Sequence, residues 1–200
     1  RTARATAARA LGQRTDSANA RGFYITEALQ MEGKLLMQEQ PVTLDATFLG
    51  SGSGGDVLYA INVSDPAAPV VTDSLVLNTR RVNDVKAKPD GKFIVFTREG
   101  AADRKNGIVI ASTEDPEHPK VIAEFTEGVT SGVHSAFVYK QDKYGTNVFL
   151  TNDGTGAMHV INIDDPYHPK EIAQWRTDRP DAGRTLHDID VQDGLAYLSY

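Results

Sequence analysis

Cysteine is absent from the 200 residues, which excludes disulfides, thiolate metal sites and cysteine nucleophiles. No apolar run approaches the roughly 18 residues that a membrane-crossing helix needs. Gly-x-Ser-x-Gly and His-Glu-x-x-His are also missing, so neither a nucleophile elbow nor a zincin helix speaks for a hydrolase. Gly50-Ser51-Gly52-Ser53-Gly54-Gly55 runs into Asp56 rather than Gly-Lys-Ser/Thr. It reads as a flexible connection and not as a phosphate loop.

Positive charge is scarce beyond the N-terminus. Residues 1–22 hold five arginines (Arg1, Arg4, Arg9, Arg14, Arg21) against Asp16, a charge of +4, whereas the remainder carries −10 for a total of −6. An acidic body argues against nucleic acid as a partner. The basic segment suits either plain solvation or an acidic surface such as anionic lipid headgroups. Residues 1–22 read as a flexible arm, because Thr2 to Ala20 has Leu11 as its one large apolar residue and a helix there has nothing to bury. The chain starts with Arg rather than Met, so it is expected to be processed or a partial copy, with export to the periplasm or the exterior.

The composition is otherwise ordinary for a globular protein, with 40% hydrophobic and 24% charged residues, enough to bury a core. One stretch occurs three times: Asn62-Val63-Ser64-Asp65-Pro66-Ala67-Ala68-Pro69, Ser112-Thr113-Glu114-Asp115-Pro116-Glu117-His118-Pro119 and Asn162-Ile163-Asp164-Asp165-Pro166-Tyr167-His168-Pro169. The Asp-Pro pairs start at 65, 115 and 165, a period of 50 both times. Such a period marks a repeat architecture.

From residue 82 the repeat is full. Strands are predicted at Val82–Lys88, Phe93–Phe96, Ile108–Ala111 and Lys120–Phe125, then at Val133–Tyr139, Asn147–Thr151, Met158–Ile163 and Lys170–Trp175. A third copy opens with Leu186–Val191 and Leu195–Tyr200. Four short strands per unit, joined by Gly, Pro, Asn and Asp turns, predict an all-β fold of four-stranded antiparallel propeller blades. The domains read as an arm (1–22), a lead-in (23–54) and blades over 55–200: partial at 55–80, full at 81–130 and 131–180, partial at 181–200. Within the lead-in, 25–32 suits a helix and 42–49 alternates like a strand. The propeller is thus incomplete here, and a further Asp-Pro-x-x-Pro is expected at about residue 215.

Asp-Pro-x-x-Pro is read as a structural turn. Asp65, Asp115 and Asp165 can accept backbone N–H groups in an Asx-type turn. Pro66, Pro116 and Pro166 fix φ, while Pro69, Pro119 and Pro169 enter an edge strand, where a missing N–H costs least. These units resemble the LVIVD-repeat β-propellers of exported bacterial and archaeal proteins, which have an Asp-Val-Ser-Asp-Pro-x-x-Pro-like segment followed by a short apolar strand. The resemblance covers residues 55–200 and implies a propeller without specifying an activity.

Aligning the first strands brings out one polar column: Asn83-Asp84, His134-Ser135 and His187-Asp188. In a propeller this column rings one mouth of the central channel. Such pairs can bond the backbone of the adjacent blade, bind a small ligand or a divalent metal through His134 and His187, or serve as acid–base groups. His118 and His168 belong to the turns and His159 to a third strand. Asn152-Asp153-Gly154-Thr155-Gly156 looks like a calcium-loop fragment without the distal Glu, and reads as a turn. The expected function is a non-catalytic extracytoplasmic scaffold with a protein partner, in or beside a membrane-bound complex. The alternatives are a metal- or ligand-binding propeller and, behind it, an enzyme using the same ring.

Overall fold

The structure is a computed structural model that describes residues 2–14, 28, 29, 32, 47–51, 57–178 and 185–200. The chain forms two compact bodies, Arg1–Pro41 and Val42–Leu198 with Tyr200.

In the first body, helix α1 spans Thr2–Arg14, where the sequence reading expected an irregular arm. Alanine, the strongest helix former, dominates it. Ala5 and Ala8, three residues apart and so on one face, are buried. Arg9 grips Glu32 through two bonds, Nε to Oε1 at 3.2 Å and a terminal nitrogen to Oε2 at 2.8 Å. The buried alanines and the forked Arg9–Glu32 pair are contacts that an apolar stripe does not announce. Ala28 and Leu29 are helical and Glu32 lies in a turn. The rest of the helix expected over 25–32 lies outside the described residues.

The second body is built of antiparallel sheets. The first contains β1 (Thr47–Ser51), β2 (Val57–Asn62) and β3 (Val70–Val76) in that order. The second contains β4 (Val85–Ala87), β5 (Phe93–Arg98), β6 (Gly107–Ser112) and β7 (Lys120–Phe125). The third contains β8 (Ala136–Gln141), β9 (Gly145–Asn152), β10 (Ala157–Asn162) and β11 (Lys170–Trp175), and the fourth β12 (Asp188–Gln192) and β13 (Leu195–Ser199). Each is a simple meander, and the 50-residue period is one sheet.

The openings of all four sheets differ from expectation. The lead-in supplies β1, which pairs with β2 from Thr47↔Asn62 to Ser51↔Leu58, so Gly50 and Ser51 belong to a strand and the first repeat begins before residue 55. Residues 42–46 and 52–56 lie outside the described residues. The first strands of the second, third and fourth sheets begin later than predicted, at Val85, Ala136 and Asp188, which leaves most of the polar column in the chain just ahead of them.

Each Asp-Pro segment is a turn, closed by the aspartate side chain as expected at Asp65 and Asp165 and by the backbone alone at Asp115. Asp65 and Asp165 accept the backbone N–H two residues on through Oδ1, both at 3.0 Å. The carbonyls of Asp65, Asp115 and Asp165 accept the N–H three residues on, at 3.0, 3.1 and 3.1 Å. The second proline immediately precedes β3, β7 or β11, and all three are edge strands. The register slips by one residue between Ala60 and Ile61, Ile110 and Ala111, and Val160 and Ile161. Thr72, Ile122 and Ile172 are therefore the extra residues of three bulges set by the same turn.

Three core clusters join the sheets in chain order. Leu58 and Ala60 of the first sheet pack with Ile94, Phe96, Val109 and Ala111 of the second. Val95, Ile108, Ile110 and Phe125 of the second pack with Val148, Leu150 and Ile161 of the third. Phe137, Tyr139, Phe149 and Met158 of the third pack with Ile189, Val191 and Leu198 of the fourth. Two tyrosines brace the last seam: Tyr139 Oη accepts the Gly194 N–H at 3.3 Å, and Tyr200 donates to the Gly156 carbonyl at 2.9 Å. The middle sheets thus bury both faces, which is why β5 and β6 read as unbroken apolar runs. First strands are neighbours: β4 lies against β8, and β8 against β12.

Phe96→Ala, at a side chain with no exposure, should cost about 3–5 kcal/mol in urea unfolding. Val70→Ala, on an exposed edge, should change stability by less than about 0.5 kcal/mol.

Candidate functional site

The polar pairs lie where the chain enters the first strands, and a threonine from the end of the second strand holds the first two of them in place. Thr97 Oγ1 accepts the N–H groups of Asn83 and Asp84 at 3.3 and 3.0 Å. Thr151 Oγ1 accepts those of His134 and Ser135 at 3.1 and 3.0 Å. The threonine N–H groups return a bond to the carbonyls of Asp84 and Ser135, both at 3.0 Å. One hydroxyl with two lone pairs can accept both donors, so a single side chain sets the direction of two consecutive residues.

The second members of the pairs link one sheet to the next. Ser135 Oγ lies 2.7 Å from Asp188 Oδ1 and 3.2 Å from Asp84 Oδ2. A hydroxyl has one proton, and the shorter contact takes it. Asp84 Oδ2 accepts instead the Ala136 N–H across the seam at 3.2 Å, while Lys86 Nζ stands 3.1 Å from Oδ1. Asp188 Oδ1 also accepts the Ile189 N–H at 2.9 Å. Asp84, Ser135 and Asp188 therefore form a polar ladder across three successive sheets.

The first members converge on Glu99, which the sequence reading did not single out, and on Asp153, which it read as part of a turn. Glu99 Oε2 accepts from Asn83 Nδ2 at 2.5 Å and lies 3.3 Å from His134 Nδ1. Arg81 reaches Glu99 Oε1 at 3.4 Å. The His134 and His187 rings stand 4.5 Å apart at 50°. Asp153 completes the group. Its Oδ1 is buried and has no hydrogen-bond partner. Burial first, and then the charge of Glu99, push its carboxyl up to about 6, with His134 and His187 pulling partly back. Gly132 makes the arrangement possible: at φ +129°, a Cβ there would sit 2.5 Å from Asp153 Oδ2 and 3.1 Å from the Glu99 side chain.

Glu99 and Asp153 each stand two residues after the threonine of their strand, as Thr97-Arg98-Glu99 and Thr151-Asn152-Asp153. That recurrence was present in the sequence, but the hydrophobic period of the strands carries no sign of it. Asn152–Gly156 is a turn, with the Thr155 and Gly156 N–H groups on the Asn152 carbonyl at 3.3 and 2.8 Å, and its Asp153 belongs to this acid–histidine group. Among the described residues, no group of three or more His, Asp or Glu is arranged to hold a metal ion. His134 and His187 are brought together, but as a tilted ring pair.

The remaining histidines fall where their positions in the repeat suggest. His118 and His168 are exposed on their turns, at 3.2 Å from Asp73 and 2.8 Å from Asp165 respectively. His159 is buried, and its Nε2 takes a hydrogen bond from Asn152 Nδ2 at 3.1 Å. Its Nδ1 lies 3.4 Å from Glu171 Oε1, close enough for a charge contact but off the line of a hydrogen bond. The ring borders a groove of ≈ 430 Å³ beside Gly128, Gln174 and Arg176.

Thr151→Val keeps the shape and removes the acceptor of two N–H groups, so it should destabilise by about 1–3 kcal/mol in urea unfolding. For Asp153 the sign follows from a folded value above the unfolded 3.8. Its contribution is full below the unfolded value and is lost as pH rises through about 6. Asp153→Asn should therefore match or exceed the natural protein in stability at neutral pH. Thermal unfolding across pH should show that gap closing on acidification.

No protein-family model matches the chain, and no curated protein matches it. Solved structures do. A hypothetical selenium-binding protein from Sulfolobus tokodaii superposes with a TM-score of 0.53 at 13% identity, over 75% of this chain and 42% of its own. The chain spans less than half the length of that neighbour, and at such identity the likeness is one of fold alone: an all-β arrangement of blade-like antiparallel sheets.

Proposed function

We propose that the chain is part of a β-propeller of the LVIVD-repeat kind and that it works outside the cytoplasm as a non-catalytic scaffold. It presents a rigid surface to a protein partner within a membrane-associated complex. The observation that carries this reading is the use made of the polar column. Asp84, Ser135 and Asp188 bond to one another and to backbone across the seams, while Thr97 and Thr151 are spent on the backbone N–H groups of the lead-ins. Ser135 is buried and its proton goes to a carboxylate rather than to a histidine base, which disfavours the enzyme reading. Support for the propeller comes from the face-to-face seams and from the neighbouring inner strands β4, β8 and β12. No helix of the described residues is long and apolar enough to cross a membrane. Affinity capture from detergent-solubilised membranes should return one stoichiometric protein partner. Recovery of the bait alone would count against the scaffold.

A second reading rests on Asp153. Its buried, unpartnered Oδ1 beside Glu99, His134 and His187 suits a small cationic ligand at the channel mouth. Calorimetric titration with small cations, on the natural protein and on His134→Ala with His187→Ala, decides it. Equal and negligible binding in all samples removes this reading. Selenium, named for the structural neighbour, is not carried over on a likeness of fold.

A further inference from the structure

His159 lies in the wall of a groove of ≈ 430 Å³ that Asn152, Thr155, Gln174 and Arg176 also line. The ring is 3% exposed, and its two nitrogens have different surroundings. Asn152 fixes one of them. Its Oδ1 accepts the Ser131 hydroxyl at 2.8 Å and the Gly154 N–H at 3.0 Å. The amide therefore presents Nδ2 to the Gly128 carbonyl at 2.8 Å and to His159 Nε2 at 3.1 Å. Nε2 is the acceptor, so in the neutral ring Nδ1 carries the proton. That N–H is buried without a hydrogen-bond partner, and Glu171 Oε1 stands 3.4 Å from the nitrogen. Gly128, which also lines the groove, leaves both groups uncovered: a Cβ there would lie 3.7 Å from Glu171 Oε2 and 3.8 Å from His159 Cε1.

The second sheet fills the corresponding place from within. Val109 and Glu124 stand 50 positions before His159 and Gln174, and Arg98 follows Thr97 as Asn152 follows Thr151. Arg98 is 4% exposed and reaches Glu124 Oε2 at 3.1 Å. In the third sheet an asparagine stands in place of the arginine and an imidazole in place of the valine.

We infer that this groove binds a neutral, polyhydroxylated ligand, a sugar unit, with one of its hydroxyls seated between His159 and Glu171. An apolar occupant leaves the buried N–H unpaired, which is costly. An anion accepts that N–H but meets the Glu171 carboxylate beside it. A cation pairs with Glu171 but meets the N–H donor and the Arg176 guanidinium. A hydroxyl oxygen accepts from Nδ1 and donates to Oε1 through one atom, as two groups only 3.4 Å apart require. The rest of the lining has the same mixed character. Thr155 Oγ1 accepts the Ala157 N–H at 3.2 Å and has its own proton to donate, and the Gln174 amide both donates and accepts. The volume falls within the range of about 300–1,000 Å³ usual for small-molecule sites. This site is separate from the acid–histidine group, and it does not rest on the scaffold reading.

Calorimetric titration of the 200-residue protein with glucose, galactose and mannose, each free and as its methyl glycoside, tests this. At least one neutral sugar should bind saturably. Binding of free sugars alone marks a free monosaccharide as the ligand, and binding of the glycosides marks a chain-linked unit; either supports the inference. His159→Phe keeps a ring of similar size and removes the N–H, so it should weaken binding by about tenfold or more. Circular dichroism checks its fold. Glu171→Ala, on the edge strand β11, removes the acceptor and should also weaken binding by about tenfold, which keeps the test open if His159→Phe unfolds. His168→Ala, on an exposed turn, should leave binding unchanged. Glucuronate and glucosamine serve as the anionic and cationic counterparts. Tighter binding of either than of every neutral sugar overturns the inference. So does the absence of saturable binding by all the neutral sugars, or full binding by folded His159→Phe and Glu171→Ala.

Discussion

A four-stranded sheet with apolar residues on both faces cannot exist alone in water. In this protein Ile94 and Phe96 face one way from the second sheet, and Val95, with Ile108 and Ile110 of the adjoining strand, faces the other. Each buried side chain of this size contributes roughly 1.5–3 kcal/mol relative to exposure, so a single seam of half a dozen residues outweighs any one polar contact. Stacking of successive sheets is therefore the constraint on which the rest depends. It gathers the first strands together and brings their lead-ins within hydrogen-bonding reach of the next sheet.

The polar ladder is a consequence of that stacking. Packing alone leaves the lead-ins with unpaired N–H groups, and such groups are costly when buried. Thr97 and Thr151 satisfy them two at a time. The Asp84–Ser135–Asp188 links then fix the rotation of one sheet against the next. Glu99 and Asp153 stand at the same end of the stack, where His134 and His187 meet them. Structural and binding roles are not exclusive here: the bonds that lock the lead-ins also hold the histidine rings at their 4.5 Å separation.

Much of the fold could be read from residue types. Asp-Pro-x-x-Pro named its own turn, because Asp accepts local N–H groups and proline sets φ and forgoes a donor. β7 and β11 fell where their apolar runs predicted. Helix α1 was read as an arm because the buried Ala5 and Ala8 and the Arg9–Glu32 pair do not show as an apolar stripe. β1 was expected within 42–49, but its end at Gly50 and Ser51 looks like a linker until β2 pairs with it. For the candidate site, the pairs Asn83-Asp84, His134-Ser135 and His187-Asp188 were visible as a column. Glu99 was not, since a carboxylate at a strand end looks like ordinary solvated charge, and Asp153 was read only as part of a turn.

The sequence by itself determined the repeat, its period, its turn chemistry and the strand content, because each depends on backbone preferences of residues close together in the chain. The tertiary structure alone decided which polar groups meet. Asp153 lies 54 positions from Glu99 and 34 from His187, and no local rule predicts that burial beside them lifts its carboxyl to about 6. It also decided that the edge strands β3, β7 and β11 are bulged, since a bulge is a relation between two strands and belongs to neither of them alone.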